Sequence, residues 1–164
     1  MKPFCFPARV YWEDTDGGGV VYYANYLRFL ERARTEWLRA AGISQQALAR
    51  EQGIVFTVTS VEVHYRRPAR LDDELLVTCS PQRSGAASVS FAQRILRAAG
   101  AAEGLGEPLD GAAGSRAAPV EDGLLAEADV RVVCVDAHTF RPQRLPRFLI
   151  DVLHQDVLHQ EGGR

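Results

Sequence analysis

A single stretch of helical periodicity near the front of a chain that otherwise reads as strands limits the possible folds more than any other feature. Between Tyr22 and Ala41 apolar residues fall at Tyr23, Tyr26, Leu27, Leu30, Ala33, Trp37, Leu38 and Ala41. Arg28, Glu31, Arg32, Thr35 and Arg39 mostly take the opposite side, as an amphipathic helix requires. Gly42 is a suitable stop. About five turns, roughly 30 Å, suffice to cross a whole sheet. Phe4 to Trp12 reads as a first strand, with Pro7 near its beginning or on a sheet edge. A short second helix capped by Ser44 ends at Gly53. The β-branched run Ile54 to Tyr65 and the segments Glu74 to Ser80, Ala87 to Leu96 and Ala128 to Val135 supply four more strands, and Leu145 to Gln160 a terminal helix. Turns are expected at Leu71-Asp72-Asp73 and at Gln82 to Gly85. A long helix against mostly antiparallel strands is an α+β pattern whose one sheet can curl around the helix.

At 164 residues the chain is long enough for one core, and residues 1–164 are read as one domain. A formal net charge of -2 removes any electrostatic case for nucleic acid as a partner. No apolar run approaches a membrane span, and Met1 to Phe6 lacks the apolar core of a signal peptide. Cys5, Cys79 and Cys134 are scattered and odd in number, which suits a reducing compartment, so a cytoplasmic protein is expected. Gly100 to Gly123 has no aromatic residue and is dense in Gly, Ala and Pro; too little apolar surface is available there to offset ordering, so a flexible insertion is expected. Asp151 to Gln160 is a direct repeat, DVLHQ-DVLHQ, whose two copies would not share one helix face.

The chemistry concentrates in EDTDGGGVVYYANYLRFLERAR, Glu13 to Arg34, where an acidic cluster, three glycines and a helix start succeed one another. An EF-hand reading fails, because Gly18 and Asn25 stand where liganding acids are needed. The four histidines show no metal-site spacing, and no metal site is expected. No nucleotide fingerprint, no GxSxG and no activated cysteine is present. What survives is one or more carboxylates beside a pliable turn that feeds exposed helix amides, a place suited to an anion or a developing oxyanion.

Val10 to Asp16, then Gly19-Val20-Val21-Tyr22, Ala24-Asn25-Tyr26 and Glu31-Arg32-Ala33-Arg34 closely resemble the signature of the 4-hydroxybenzoyl-CoA thioesterase family of the hotdog fold. Ser44 to Leu48, Pro68 to Asp73, Gln93-Arg94-Ile95 and Val132 to Asp136 extend the resemblance over most of the chain outside 100–123 and the tail, and it is similar to the Tol–Pal-associated acyl-CoA thioesterase subgroup. The resemblance implies a long helix wrapped by an antiparallel sheet, Asp16 as catalytic carboxylate, and the backbone N–H of residue 23 as the group that polarises the thioester carbonyl. A carboxylate is ionised at neutral pH and can serve as general base or as nucleophile. One oxyanion donor is worth about 3 kcal/mol.

Tyr23 stands where many relatives carry histidine, so activity is expected to persist with a shifted acyl preference; the same ring could pack on the buried helix face. Gly19, Tyr22, Asn25 and Arg83 are the candidate substrate contacts, Arg83 for the phosphates of coenzyme A, with Arg66 and Arg67 as rivals. Glu13 and Asp14 are read as fixing the turn or meeting arginines, and Glu31, Arg32 and Arg34 as a solvated or interface charge network. No cofactor is expected beyond the coenzyme A of the substrate. A homodimer or homotetramer, with a functional link to cell-envelope or phospholipid metabolism, is implied. Two alternatives stay open: an acyl-CoA-binding scaffold without turnover, and hydrolysis of thioesters on acyl carrier protein.

Overall fold

The computed structural model describes residues 3–98 and 123–161 of the chain; apart from Gly123, the expected insertion lies outside the described residues. Strands β1 (Phe4–Arg9), β2 (Ile54–Tyr65), β3 (Glu74–Ser84), β4 (Ser88–Arg97) and β5 (Leu124–Asp136) form one antiparallel sheet in the order β1-β3-β4-β5-β2. Helix α1 (Tyr26–Ala40) packs on one face, mainly against β3 and β1. This is the hotdog arrangement. Short α2 (Gln45–Ala47) is capped by the Ser44 side chain, runs on through a π-turn and stops at Gly53 with φ +64°. Helix α3 (Arg147–Glu161) returns to the helix side of the sheet, burying Leu149 and Leu153 in the same core as α1. The first DVLHQ copy buries Leu153 and exposes Asp151 and His154. The side chains of the second copy lie outside the described residues.

Pro7 falls on the edge strand β1, where its missing N–H costs no ladder bond on the free side. On the inner face β4 presents Val89, Phe91, Gln93 and Ile95 opposite Val132, Val130, Ala128 and Ala126 of β5. Strand β2 keeps to that face by a device absent from a simple alternation. Ile54, Phe56 and Val58 face inward, Thr59 is bulged out of register, and Val61, Val63 and Tyr65 then face inward as well.

The buried stripe of α1 is Tyr26, Phe29, Leu30, Ala33, Trp37 and Leu38. It is rotated from the expected one: Phe29 joins the core, while Tyr23 and Leu27 are left at 63% and 38% exposure. Tyr23 therefore does not pack on the buried face. Nor is Arg34 part of a solvated network. It is half-buried between α1 and the sheet, where its Nη1 donates to Oε1 of Gln93 at 2.8 Å. Loss of hydration lowers the guanidinium pKa from its ordinary value. Gln93, 1% exposed, uses its amide nitrogen to donate to the Leu30 and Thr78 carbonyls, so helix and sheet are joined through one amide. Gln93→Leu leaves the Arg34 guanidinium without its acceptor; we expect a stability loss of about 2–4 kcal/mol in urea unfolding, against a loss within about 0.5 kcal/mol for exposed Arg28→Ala.

Candidate active site

Residues 10–25 form a looped hairpin rather than the tail of a strand. β1 ends at Arg9, and Trp12–Asp14 make one 3₁₀ turn. Asp14, 2% exposed, points inward and its Oδ2 accepts the Tyr11 N–H at 2.8 Å. The Asp14 carbonyl accepts two donors from the start of the helix, the Tyr22 N–H and the Asn25 side-chain amide, both at 2.9 Å. Thr15 bridges Val21, the Asp16 N–H reaches the Val20 carbonyl, and Gly19 closes the tip at φ +74°, which favours glycine. Asp14 thus fixes the turn, and its side chain is buried where that of Asp16 is exposed.

Asp16 itself is exposed. Its Oδ1 accepts the Gly18 N–H at 2.7 Å, an Asx-type turn that fixes the carboxylate, and among the described residues no partner for Oδ2 is present. A Cβ at position 18 would lie 3.1 Å from that oxygen, so glycine there lets the backbone approach the carboxylate. The return arm leads through Tyr22 into a 3₁₀ turn, Tyr23–Asn25, that continues as α1. The Tyr23 and Ala24 N–H groups open this turn and have no carbonyl before them within it. The Tyr22 and Tyr23 rings meet at 4.7 Å, and donation of the Tyr22 O–H to the Tyr23 oxygen, together with the negative charge of an ionised Tyr23, raises the Tyr22 hydroxyl above its ordinary pKa.

The fold therefore brings Asp16, Gly19, Tyr22, Tyr23 and Asn25 into one loop, with Asn25 serving its geometry. Arg83 is not brought to them. It lies in β3, paired with Ser90, rather than in a turn, and sits nine residues from the Glu74 end that borders the site, roughly 30 Å along the strand. Arg66 is engaged with Glu127. Arg70 is the arginine beside the loop, through the Val20–Arg70 bridge. Tyr65 was not singled out from sequence: its hydroxyl donates to the Tyr23 carbonyl at 2.8 Å and its ring meets Tyr26 edge-on at 5.1 Å. Its only sequence signal is its place at the end of the inward series Val61, Val63, Tyr65.

A carboxylate fixed by one oxygen on a glycine turn, directly ahead of helix-start amides that have no partner among the described residues, is suited to acyl transfer. The family model of the thioesterase-like superfamily matches residues 10–155. The chain belongs to that superfamily. It is 42% identical over 147 residues to the acyl-CoA thioester hydrolase YbgC of Escherichia coli O6:H1, covering 90% of this chain and 92% of that one. The acyl-CoA thioesterase YbgC of Haemophilus influenzae is 37% identical, covering 92% and 94%. Among solved structures, a probable thioesterase from Bartonella henselae superposes with TM-score 0.71 at 31% identity over 88% of this chain and all of that one. A 1,4-dihydroxy-2-naphthoyl-CoA thioesterase from Synechocystis shares the fold at TM-score 0.74 and 23% identity, over 93% and 96%.

Asp14→Ala removes the acceptor of the Tyr11 N–H. We expect about 1–2 kcal/mol lower stability by thermal melting, together with a loss of thioesterase turnover although Asp16 is intact.

Proposed function

We propose that this chain hydrolyses the thioester of acyl-CoA to free acid and coenzyme A, with Asp16 as general base or nucleophile and the Tyr23 N–H as oxyanion donor. The observation that carries the reading is the Asp16 turn, whose return arm becomes the first amides of the helix start, Tyr23 and Ala24. The curated relatives named acyl-CoA thioesterases support the substrate class. The thiolate leaves readily, so the reading needs neither a strong acid nor a resident cofactor. The sequence resemblance extends the proposal to a Tol–Pal association and a link to cell-envelope or phospholipid metabolism. A reducing, cytoplasmic setting fits the three scattered cysteines; among the described residues no helix is long and apolar enough to cross a membrane.

The reading includes a second copy of the chain. Strand β2 is a twelve-residue edge strand. Its inward Val58 and Val61 are 48% and 42% exposed, and Tyr23, Leu27 and Tyr65 continue the apolar strip. Such an edge invites antiparallel pairing with itself. Tyr65 lies at the catalytic end of β2 and Phe56 at the other. A two-fold pairing about the middle of the strand sets the Phe56 end of one copy beside the Asp16 turn of its partner, and two such dimers make the tetramer.

Release of coenzyme A thiol from acetyl-, butyryl-, octanoyl- and benzoyl-CoA tests the reaction. Asp16→Asn is expected to lower kcat by at least about a thousandfold on whichever substrate wild type turns over. Bound acyl-CoA without turnover by wild type replaces the enzyme with a binding protein. Val61→Asp is expected to convert the assembly to monomer in sedimentation velocity; an unchanged sedimentation coefficient rejects β2 as the interface.

A further inference from the structure

A cavity of about 110 Å³ lies between the second half of α1 and the inner face of β2, β4 and β5. The residues around it change character from one side to the other. Glu31, Thr35 and Val58 are accessible to solvent and form the mouth, on the strip left uncovered along β2. Trp37, Leu38, Phe91 and Val132 are apolar and buried, and Trp37 meets Phe91 edge-on at 5.4 Å. Arg34, Gln45, Phe56 and Val89 line it as well, and one further wall residue comes from α3. It is Leu149 of α3, at 2% exposure the least exposed of the buried residues around the cavity.

Helix α3 is held in that position independently of any ligand. The Leu145 N–H donates to the Ala86 carbonyl at 2.9 Å, anchoring the segment before the helix to the β3–β4 turn, and Leu145, Leu149 and Leu153 bury one stripe in the main core. This wall of the cavity is therefore as fixed as the sheet.

We propose that α3 is the length gauge of the acyl site: Leu149 closes the cavity and restricts the enzyme to short acyl groups. The proposal rests on the thioesterase reading and on the β2 pairing, which together bring the mouth of one copy's cavity to the Asp16 turn of its partner. An apolar cavity of about 150 Å³ holds the six carbons of benzene. By proportion the space here takes about four carbons, a butyryl chain or one of similar bulk.

The test uses the full chain and acyl-CoAs of two, four, six and eight carbons, read as kcat/KM by thiol release. Wild type is expected to peak at butyryl-CoA. Each buried CH₂ carries about a fourfold factor. Leu149→Ala is therefore expected to raise the hexanoyl-to-butyryl ratio by about tenfold, and Leu149→Phe to move the peak to acetyl-CoA. Should Leu149→Ala fail to fold, Val132→Leu fills the cavity from the opposite wall, and its expected peak is also shorter than that of wild type. A wild-type peak at octanoyl-CoA overturns the proposal, as do variants that scale every chain length by one factor. Absence of turnover by wild type on all four substrates refutes the thioesterase reading instead, and is distinct from both results.

Discussion

The two hydrogen bonds received by the Asp14 carbonyl hold this structure's chemistry in place. The acceptor lies in a turn just after β1, and both donors lie at the start of α1. They add to the Thr15–Val21 and Asp16–Val20 pairing that closes the hairpin, and they alone extend the tie to Tyr22 and Asn25 at the helix start. With them the backbone sets the distance between the Asp16 turn and the Tyr23 amide before any substrate arrives. The burial of the Asp14 side chain follows from the same requirement: its carboxylate satisfies the Tyr11 N–H, so that the turn bearing the carbonyl cannot swing outward. Preorganisation of this kind lets one backbone donor stabilise developing charge without rearrangement.

The helix that begins there is tied at its middle by a second polar device. Gln93 bonds to helix, sheet and the Arg34 guanidinium together. A slide of α1 along the sheet would strand a buried charge, a cost that apolar contacts alone would not impose. The packed stripe supplies most of the attraction, and Gln93 selects one register. The position of the Tyr23 amide relative to Asp16 inherits that register.

Periodicity made the long helix and the strand-rich remainder legible, the family resemblance supplied the hotdog expectation, and the Asp16 loop was legible because its residues are neighbours in sequence. Contacts distant in sequence were not. Gln93 and Arg34 are 59 residues apart, and each reads alone as a surface group. Three acids in four residues gave no indication that Asp14 would turn inward and Asp16 outward, because the choice is made by backbone bonds to residues 11 and 22. Arg83 was misplaced for a local reason: Pro81-Gln82-Arg83-Ser84-Gly85 is rich in turn formers, yet β3 runs through Pro81 and absorbs Gln82 as an irregularity. The tilt of the α1 stripe was misjudged because Tyr23 and Leu27 are apolar in composition but belong to an uncovered strip.

The bulge at Thr59 carries an evolutionary consequence. Strand β2 is two half-strands of opposite phase joined by one supernumerary residue. Deleting that residue would turn Val61, Val63 and Tyr65 outward together, since a one-residue slip inverts every side chain beyond it. The Tyr65 hydroxyl would leave the Tyr23 carbonyl in the same event. Thr59 touches no candidate catalytic group, yet the length of the chain at that point is under the same constraint as the loop itself: substitutions at position 59 are cheap, and insertions or deletions are not.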